Sequence, residues 1–174
     1  MGEAPDLEEM ARQLGLESLP ASEVTDQALL AFNDPAVRAA GHPGGGGIAS
    51  AADIAAWYQA VLHDNGGFLR PEVKRDALEV VRQSHTDMFG VAANRTHAFT
   101  IGGDDGQSVM RGYGHTTGPA TFGHGGAKGQ RAWADPATGL SMGFMTHGLD
   151  RNELVHARRG AGISSAAGAL TTPI

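Results

Sequence analysis

The 174-residue sequence has no cysteine, which excludes disulfides and thiolate metal sites and leaves the redox compartment undecided. Aromatic residues make up only 6%, so one domain can bury a core, though not a rich one. No basic cluster offsets the net charge of −6, which argues against nucleic acid and anionic membrane as partners. No apolar run approaches the ~20 residues of a membrane span. The acidic start, Met1 to Asp6, is not a signal peptide, which slightly favours the cytoplasm. Internal repeats are absent, and the one low-complexity tract is the glycine run at 44–47. Glycine is what the chain has in excess: 26 residues, about twice the usual ~7%. Many turns, or backbone passing close to a ligand or another strand, would use it this way.

The periodicity is helical first and extended later. Asp6 can cap a first helix, with Glu9 three residues on and Leu7, Met10, Ala11 and Leu14 along one side. A second short helix is predicted over 25–32. Asp34 then serves as N-cap, Pro35 as first helical position, and Gly41 stands beyond the end. The glycine run enters the strongest helix, where Ser50 and Asp53 form a capping box and Ile54, Trp57, Tyr58, Val61 and Leu62 recur as one buried stripe. Asn65-Gly66-Gly67 stops it. Pro71 opens another helix, with Val73, Ala77, Val80 and Val81 facing inward.

From about residue 88 the period becomes extended, predicting short strands at 88–92, 97–101 and 107–111. Another strand runs into His124-Gly125-Gly126, and two more are joined by Asp135-Pro136-Ala137-Thr138-Gly139, a turn by composition. In the last arm Leu140, Met142 and Phe144 alternate with Ser141, Gly143 and Met145. Neither face is polar, so the pattern predicts a central strand covered on both sides. Asp150, with Glu153 three residues on, caps a terminal helix carrying Leu154 and Val155, which Gly160 and Gly162 should weaken. The tail is expected to fray from about residue 164. The order implies an α+β fold, an antiparallel sheet flanked by helices: helical over 6–83, strands and terminal helix over 88–160, tail over 161–174. Three consecutive strands with two apolar faces need more cover and more edge partners than the chain plainly supplies, so it reads as part of a larger domain.

Four patterns invite chemistry. The run at 44–47 lacks the Gly-Lys-Ser/Thr ending of a phosphate loop. Gly139-Leu140-Ser141-Met142-Gly143 matches the nucleophile-elbow spacing, but it lies in a strand, and its triad would have to use Asp150 and His156. The eight histidines form neither His-x-His nor His-Glu-x-x-His, so no metal and no cofactor are expected. His124-Gly125-Gly126-Ala127 could be a tight strand end that needs small residues. It also has the makings of a site, because a strand edge without side chains lets a substrate lie against backbone N–H groups that hold a developing oxyanion. The neighbouring imidazole can donate hydrogen bonds or relay protons.

Phe122-Gly-His-Gly-Gly-Ala127, followed by Ala134-Asp-Pro-Ala-Thr-Gly-Leu-Ser141 and preceded by Gly44-Gly-Gly-Gly-Ile-Ala-Ser-Ala-Ala-Asp53, resembles the C-terminal half of serine β-lactamase-like hydrolases. These comprise class C β-lactamases, D-alanyl-D-alanine peptidases (penicillin-binding-protein-like) and related esterases. The resemblance covers about residues 30–158. It implies an antiparallel sheet flanked by helices and acyl transfer through a serine ester. His124 falls at the Lys position of the family's Lys-Thr-Gly motif, which is His/Trp-x-Gly in the esterases. Gly125 falls at the Thr position, Gly126 at the Gly position, and Ala127 would supply an oxyanion-hole N–H. Gly125 in place of Thr removes a hydroxyl that would bind a substrate carboxylate, which tilts the implied activity toward ester hydrolysis. The family's Ser-x-x-Lys does not occur: Pro71 stands three residues before Lys74, and Gly125 three before Lys128. Tyr-x-Asn is absent too. The implied partners are a small acyl-ester or peptide-like substrate and the missing N-terminal half of the same fold. The alternative is a non-catalytic binding or interaction domain derived from that fold.

Overall fold

The sheet grows from the turn at Asp135. In the computed structural model, which describes residues 6–18, 25–87, 89–147 and 152–170, that residue is 1% exposed. Its carboxylate accepts from Ala137 N (3.0 Å), Thr138 Oγ1 (3.2 Å) and Gly118 N (3.2 Å). Gly139 closes the turn at φ +70°, donating to Asp135 O at 2.9 Å. The arms are β3 (Arg131–Asp135) and β4 (Leu140–Phe144), with Trp133 opposite Met142. β2 (Phe122–Gly125) lies on the other side of β3, and β1 (Thr100–Ile101) pairs with β2 at Phe122 and Gly123. The order is β1-β2-β3-β4, antiparallel throughout. Around it stand α1 (Leu7–Gln13), α2 (Asp26–Leu30), a 3-10 turn at Ala31–Asn33, α3 (Pro35–Ala40), α4 (Ala51–His63), α5 (Pro71–Leu78) and α6 (Glu153–Gly168). This is the α+β arrangement expected.

Local chemistry set the helix starts as read. Asp6 Oδ1 accepts from Glu8 N and Glu9 N, Asp34 accepts from Ala36 N ahead of Pro35, and Gly41 ends α3 at φ +65°. Ser50 and Asp53 complete their capping box. The glycine run turns beneath Phe32: a Cβ on Gly45 would lie 2.8 Å from that ring, and one on Gly46 2.7 Å from His42 O. The cap expected at Asp150 and the strand expected from Met88 begin outside the described residues, as do the side chains of Met10 and Glu153. The side chain that caps α6 is Asn152, accepting from Val155 N.

Both apolar faces of the sheet are covered. α4 lies on one, burying Phe122, Ala134 and Ile101 against Tyr58, Val61 and Phe99. Ser141 Oγ donates to Ala55 O at 2.8 Å, and Gln59 reaches Gly139 O at 2.9 Å. α6 lies on the other, where Trp133, Met142 and Tyr113 pack with Ile163 and Ala167 and Trp133 Nε1 donates to Ser164 Oγ at 3.2 Å. β4 is therefore covered on both sides, but it is an end strand of the sheet among the described residues, not a central one.

Several expectations fail where side chains override the period. No strand forms at 107–111, because Arg111 turns inward, its side chain 3% exposed, to bond Ala92 O (2.9 Å), Gly102 O (2.7 Å) and the Asp105 carboxylate. The strand at 97–101 shrinks to Thr100–Ile101, because Thr96 Oγ1 accepts from Ala98 N and Phe99 N and donates to Ala77 O at 2.6 Å. Around 83–95 the described residues make only isolated bridges, Gln83 to Arg95, Thr86 to Ala92 and Arg95 to Thr100. α4 stops at Asp64 in the left-handed region (φ 49°), one residue before Asn65-Gly66-Gly67, with the Asp64 carboxylate accepting from Phe68 N. Trp57, Val73 and Val81 are exposed rather than inward-facing.

The tail from 164 is helical to Gly168, with Ser164 fully buried. Gly160, expected to weaken this helix, is where the Arg131 side chain crosses, Gly168 lies against Thr116, and Gly114 lies against the Ser164–Ser165 backbone. Close approach offsets the helix cost of about 1 kcal/mol per glycine.

Two consequences can be measured. Gly162 has nothing within 4 Å of a Cβ, so Gly162→Ala should gain about 0.5–1 kcal/mol of stability, read as a higher urea midpoint. A Cβ on Gly143 would overlap Ala51 O in the α4 backbone, so Gly143→Ala should lose about 1–3 kcal/mol. Shifts of the same sign in both variants would contradict this packing. Burial also pushes the Tyr58 hydroxyl up to about 12 and Tyr113 still further above its usual value. These are the chain's two tyrosines. The folded state then holds phenolic protons that the unfolded chain releases near pH 10, so stability should fall as pH rises from about 10 to 12. Phenolate absorbance of the folded protein with a midpoint near pH 10 would refute it.

Candidate active site

β2 begins in the core and ends at the surface. Phe122 is fully buried between Phe99 and Tyr58, with ring centroids 5.0 and 6.0 Å away. A Cβ on Gly123 would lie 2.7 Å from Trp133 Cα, so packing demands glycine there. His124, Gly125, Gly126 and Ala127 are exposed. His124 stands opposite Ala132, which places it on the α4 face of the sheet.

The two glycines of the motif differ. A Cβ on Gly126 would lie 2.7 Å from Gln130 Cβ, in a turn where Gly126 N donates to Gln130 O at 2.8 Å. Gln130 ties that turn to Thr146 through Thr146 N at 2.9 Å. At Gly125 the nearest atom to a Cβ is Gln130 O at 3.8 Å, an ordinary contact, and φ is not positive. The fold therefore requires small residues at 123 and 126 but leaves room for a side chain at 125. The tight-strand-end reading does not account for Gly125.

β1 reaches only as far as Gly123, and beyond its end a cleft of about 470 Å³ opens against His124. Its opposite wall is made by Arg82, Gln83 and residues 95–99. His124 Nδ1 sits within hydrogen-bond distance of Gly125 O. A carbonyl only accepts, so the proton lies on Nδ1, and Nε2 is left to accept or to relay a proton. The Tyr58 hydroxyl lies beneath and faces the His124 backbone. Across the cleft Asp76 pairs with Arg82 and bonds His97 Nδ1 at 2.9 Å. The hydrogen bond from Arg82, followed by that from His97, holds the Asp76 carboxyl below the usual carboxylate range.

Of the residues singled out in the sequence, His124 lines this cleft, and Gly125, Gly126 and Ala127 continue from it along the same exposed stretch. Ser141 is not an elbow nucleophile: it lies mid-strand on the α4 face, with its hydroxyl committed to Ala55 O. His156 is on α6, across the sheet from it, and Asp150 is outside the described residues. Sequence reasoning missed Arg82, Arg95 and His97, which sit in irregular chain with no periodic signal. The one available hint was the density of cations and histidines over 82–97. Among the described residues no three His, Asp or Glu side chains are placed to share a metal ion, and no helix is long and apolar enough to cross a membrane.

The family profile described as Beta-lactamase matches residues 8–167. No curated protein sequence matches the chain. The profile covers nearly the whole chain and includes both walls of the cleft, the His124–Ala127 edge and the two helices that sandwich the sheet: the protein belongs to the Beta-lactamase family of serine hydrolases.

Proposed function

We propose that this chain supplies the passive wall of an acyl-transfer cleft in a β-lactamase-like serine hydrolase, with ester hydrolysis as the reaction. The observation that carries this is Gly125, bare where the fold has room for a side chain and set beside a cleft on an open strand edge. A substrate acyl group can lie flat there against backbone. Ala127 N–H donates to the oxyanion, and the imidazole of His124 orients the substrate or assists proton transfer. A small acyl ester or a peptide-like ester fits such an edge.

The nucleophile is the serine of a Ser-x-x-Lys carried by polypeptide outside this chain, the N-terminal half of the same fold, so that 1–174 acts as its C-terminal portion. The free outer side of β4 among the described residues and the exposure of Trp57 and Ile48 support such a partner. Serine would attack the ester carbonyl, with its own N–H and that of Ala127 holding the oxyanion. Loss of one such donor raises the barrier by ~3 kcal/mol, so half a site without its nucleophile is nearly inert.

The chain alone is expected to leave p-nitrophenyl acyl esters and a chromogenic β-lactam unhydrolysed, while the two halves together turn over the ester. Turnover by the chain alone that disappears in Ser141→Ala would overturn this reading. Binding of an ester analogue without hydrolysis in the assembled protein, lost in His124→Trp, would instead identify a binding domain.

A further inference from the structure

We infer that a second copy of this chain pairs with the outer edge of β4, antiparallel about a two-fold axis at Met142, so that the two sheets become one. In an antiparallel ladder, residues that exchange bonds with one neighbour alternate with residues whose N–H and C=O point to the other side. Asp135 and Leu140 are partners at the turn. The alternative bonding for that pair would use the N–H that Pro136 lacks, so Asp135 and Leu140 exchange both of their own bonds. Trp133–Met142 and Arg131–Phe144 follow in phase. The bond from Gly126 N to Gln130 O, at 2.8 Å, sets the same phase from the β2 side. The N–H and C=O groups of Ser141 and Gly143 therefore point away from β3, and among the described residues no group bonds them.

That edge complements itself. With the axis at Met142, the middle of β4, Ser141 of each protomer faces the partner's Gly143, and each such pair exchanges two bonds. Residues 138–146 contain no charge and no proline, the devices that usually keep an edge strand from pairing. Nothing here selects a partner by charge, and the match in register is to β4 itself. The axis stands perpendicular to the sheet, so the two α4 helices meet on the same face. Each lies over both β3 and β4. Strands ~4.8 Å apart then put the two helices about 10 Å apart, an ordinary packing distance. Ala55 and Gln59 hold β4 through Ser141 Oγ and Gly139 O, while Tyr58 and Val61 turn the other way, toward Phe99 and Phe122. The flank that looks outward past β4 therefore carries Ala52 and Ala56, both exposed and small enough for that approach.

This inference uses the sheet edge alone and is independent of the acyl position. It is tested on the full chain by sedimentation across a dilution series, with amide hydrogen exchange followed by NMR at both ends of the series. The chain should sediment at twice its own mass when concentrated. In that state the amides of Ser141 and Gly143 should exchange at least roughly 10-fold more slowly than in the dilute chain. The Met142 amide, bonded to β3, should be protected in both. Each copy carries a net charge of −6, so association should strengthen as salt is added. Ala52→Glu favours the start of α4 electrostatically and sets two carboxylates against each other across the axis, so it should fold as before and remain monomeric. A chain that stays monomeric throughout overturns the inference and leaves the edge to the N-terminal half. A dimer whose Ser141 and Gly143 amides exchange freely, one that weakens with salt, or an Ala52→Glu variant that associates as tightly as the parent also overturns it.

Discussion

The aromatic cluster at the root of β2 is the contact on which the rest depends. With aromatics at 6% of the chain, Phe122, Phe99 and Tyr58 form most of the large apolar surface between α4 and the sheet. Fully burying a phenylalanine stabilises by roughly 1.5–3 kcal/mol, so where Phe122 sits fixes where β2 leaves the interior. Two residues later the strand is at the surface, and His124 stands at the cleft.

Glycine does two different jobs around that root. At 123, 143 and 160 it removes a side chain that would collide with Trp133, with the α4 backbone or with Arg131, so helices and sheet close on each other more tightly than alanine would allow. That closeness compensates a chain poor in bulky residues. At 125 no neighbour demands it, and the bare backbone faces outward beside the cleft. The contrast separates, within one motif, glycines that packing demands from one that it does not.

The charge distribution follows a similar division. Arg111 is spent internally, bonding two carbonyls and Asp105 to hold the loops over 92–111, and its guanidinium keeps the Asp105 carboxyl far below the usual range. Arg82 is paired with Asp76 at the cleft rim. Arg95 has no acid partner among the described residues.

Much of this architecture was legible in the sequence wherever the determinant is local. The caps at Asp6, Asp34 and Ser50, the turn from Asp135 to Gly139, and the two-sided apolar pattern of β4 each depend on residues within a few positions of one another. The His124–Ala127 motif could be singled out for the same reason. Only the tertiary structure decided that Gln107–Arg111 is no strand, since Arg111 bonds Ala92 O, 19 residues away. It also decided that Gly160 and Gly168 of α6 allow close packing, against Arg131 and Thr116, and that the helix continues to Gly168. It alone brought Arg82, Arg95 and His97 opposite His124, because those contacts join irregular segments whose separation follows no period. Backbone conformation is set by neighbours along the chain, whereas a cleft is set by which distant surfaces exclude water together.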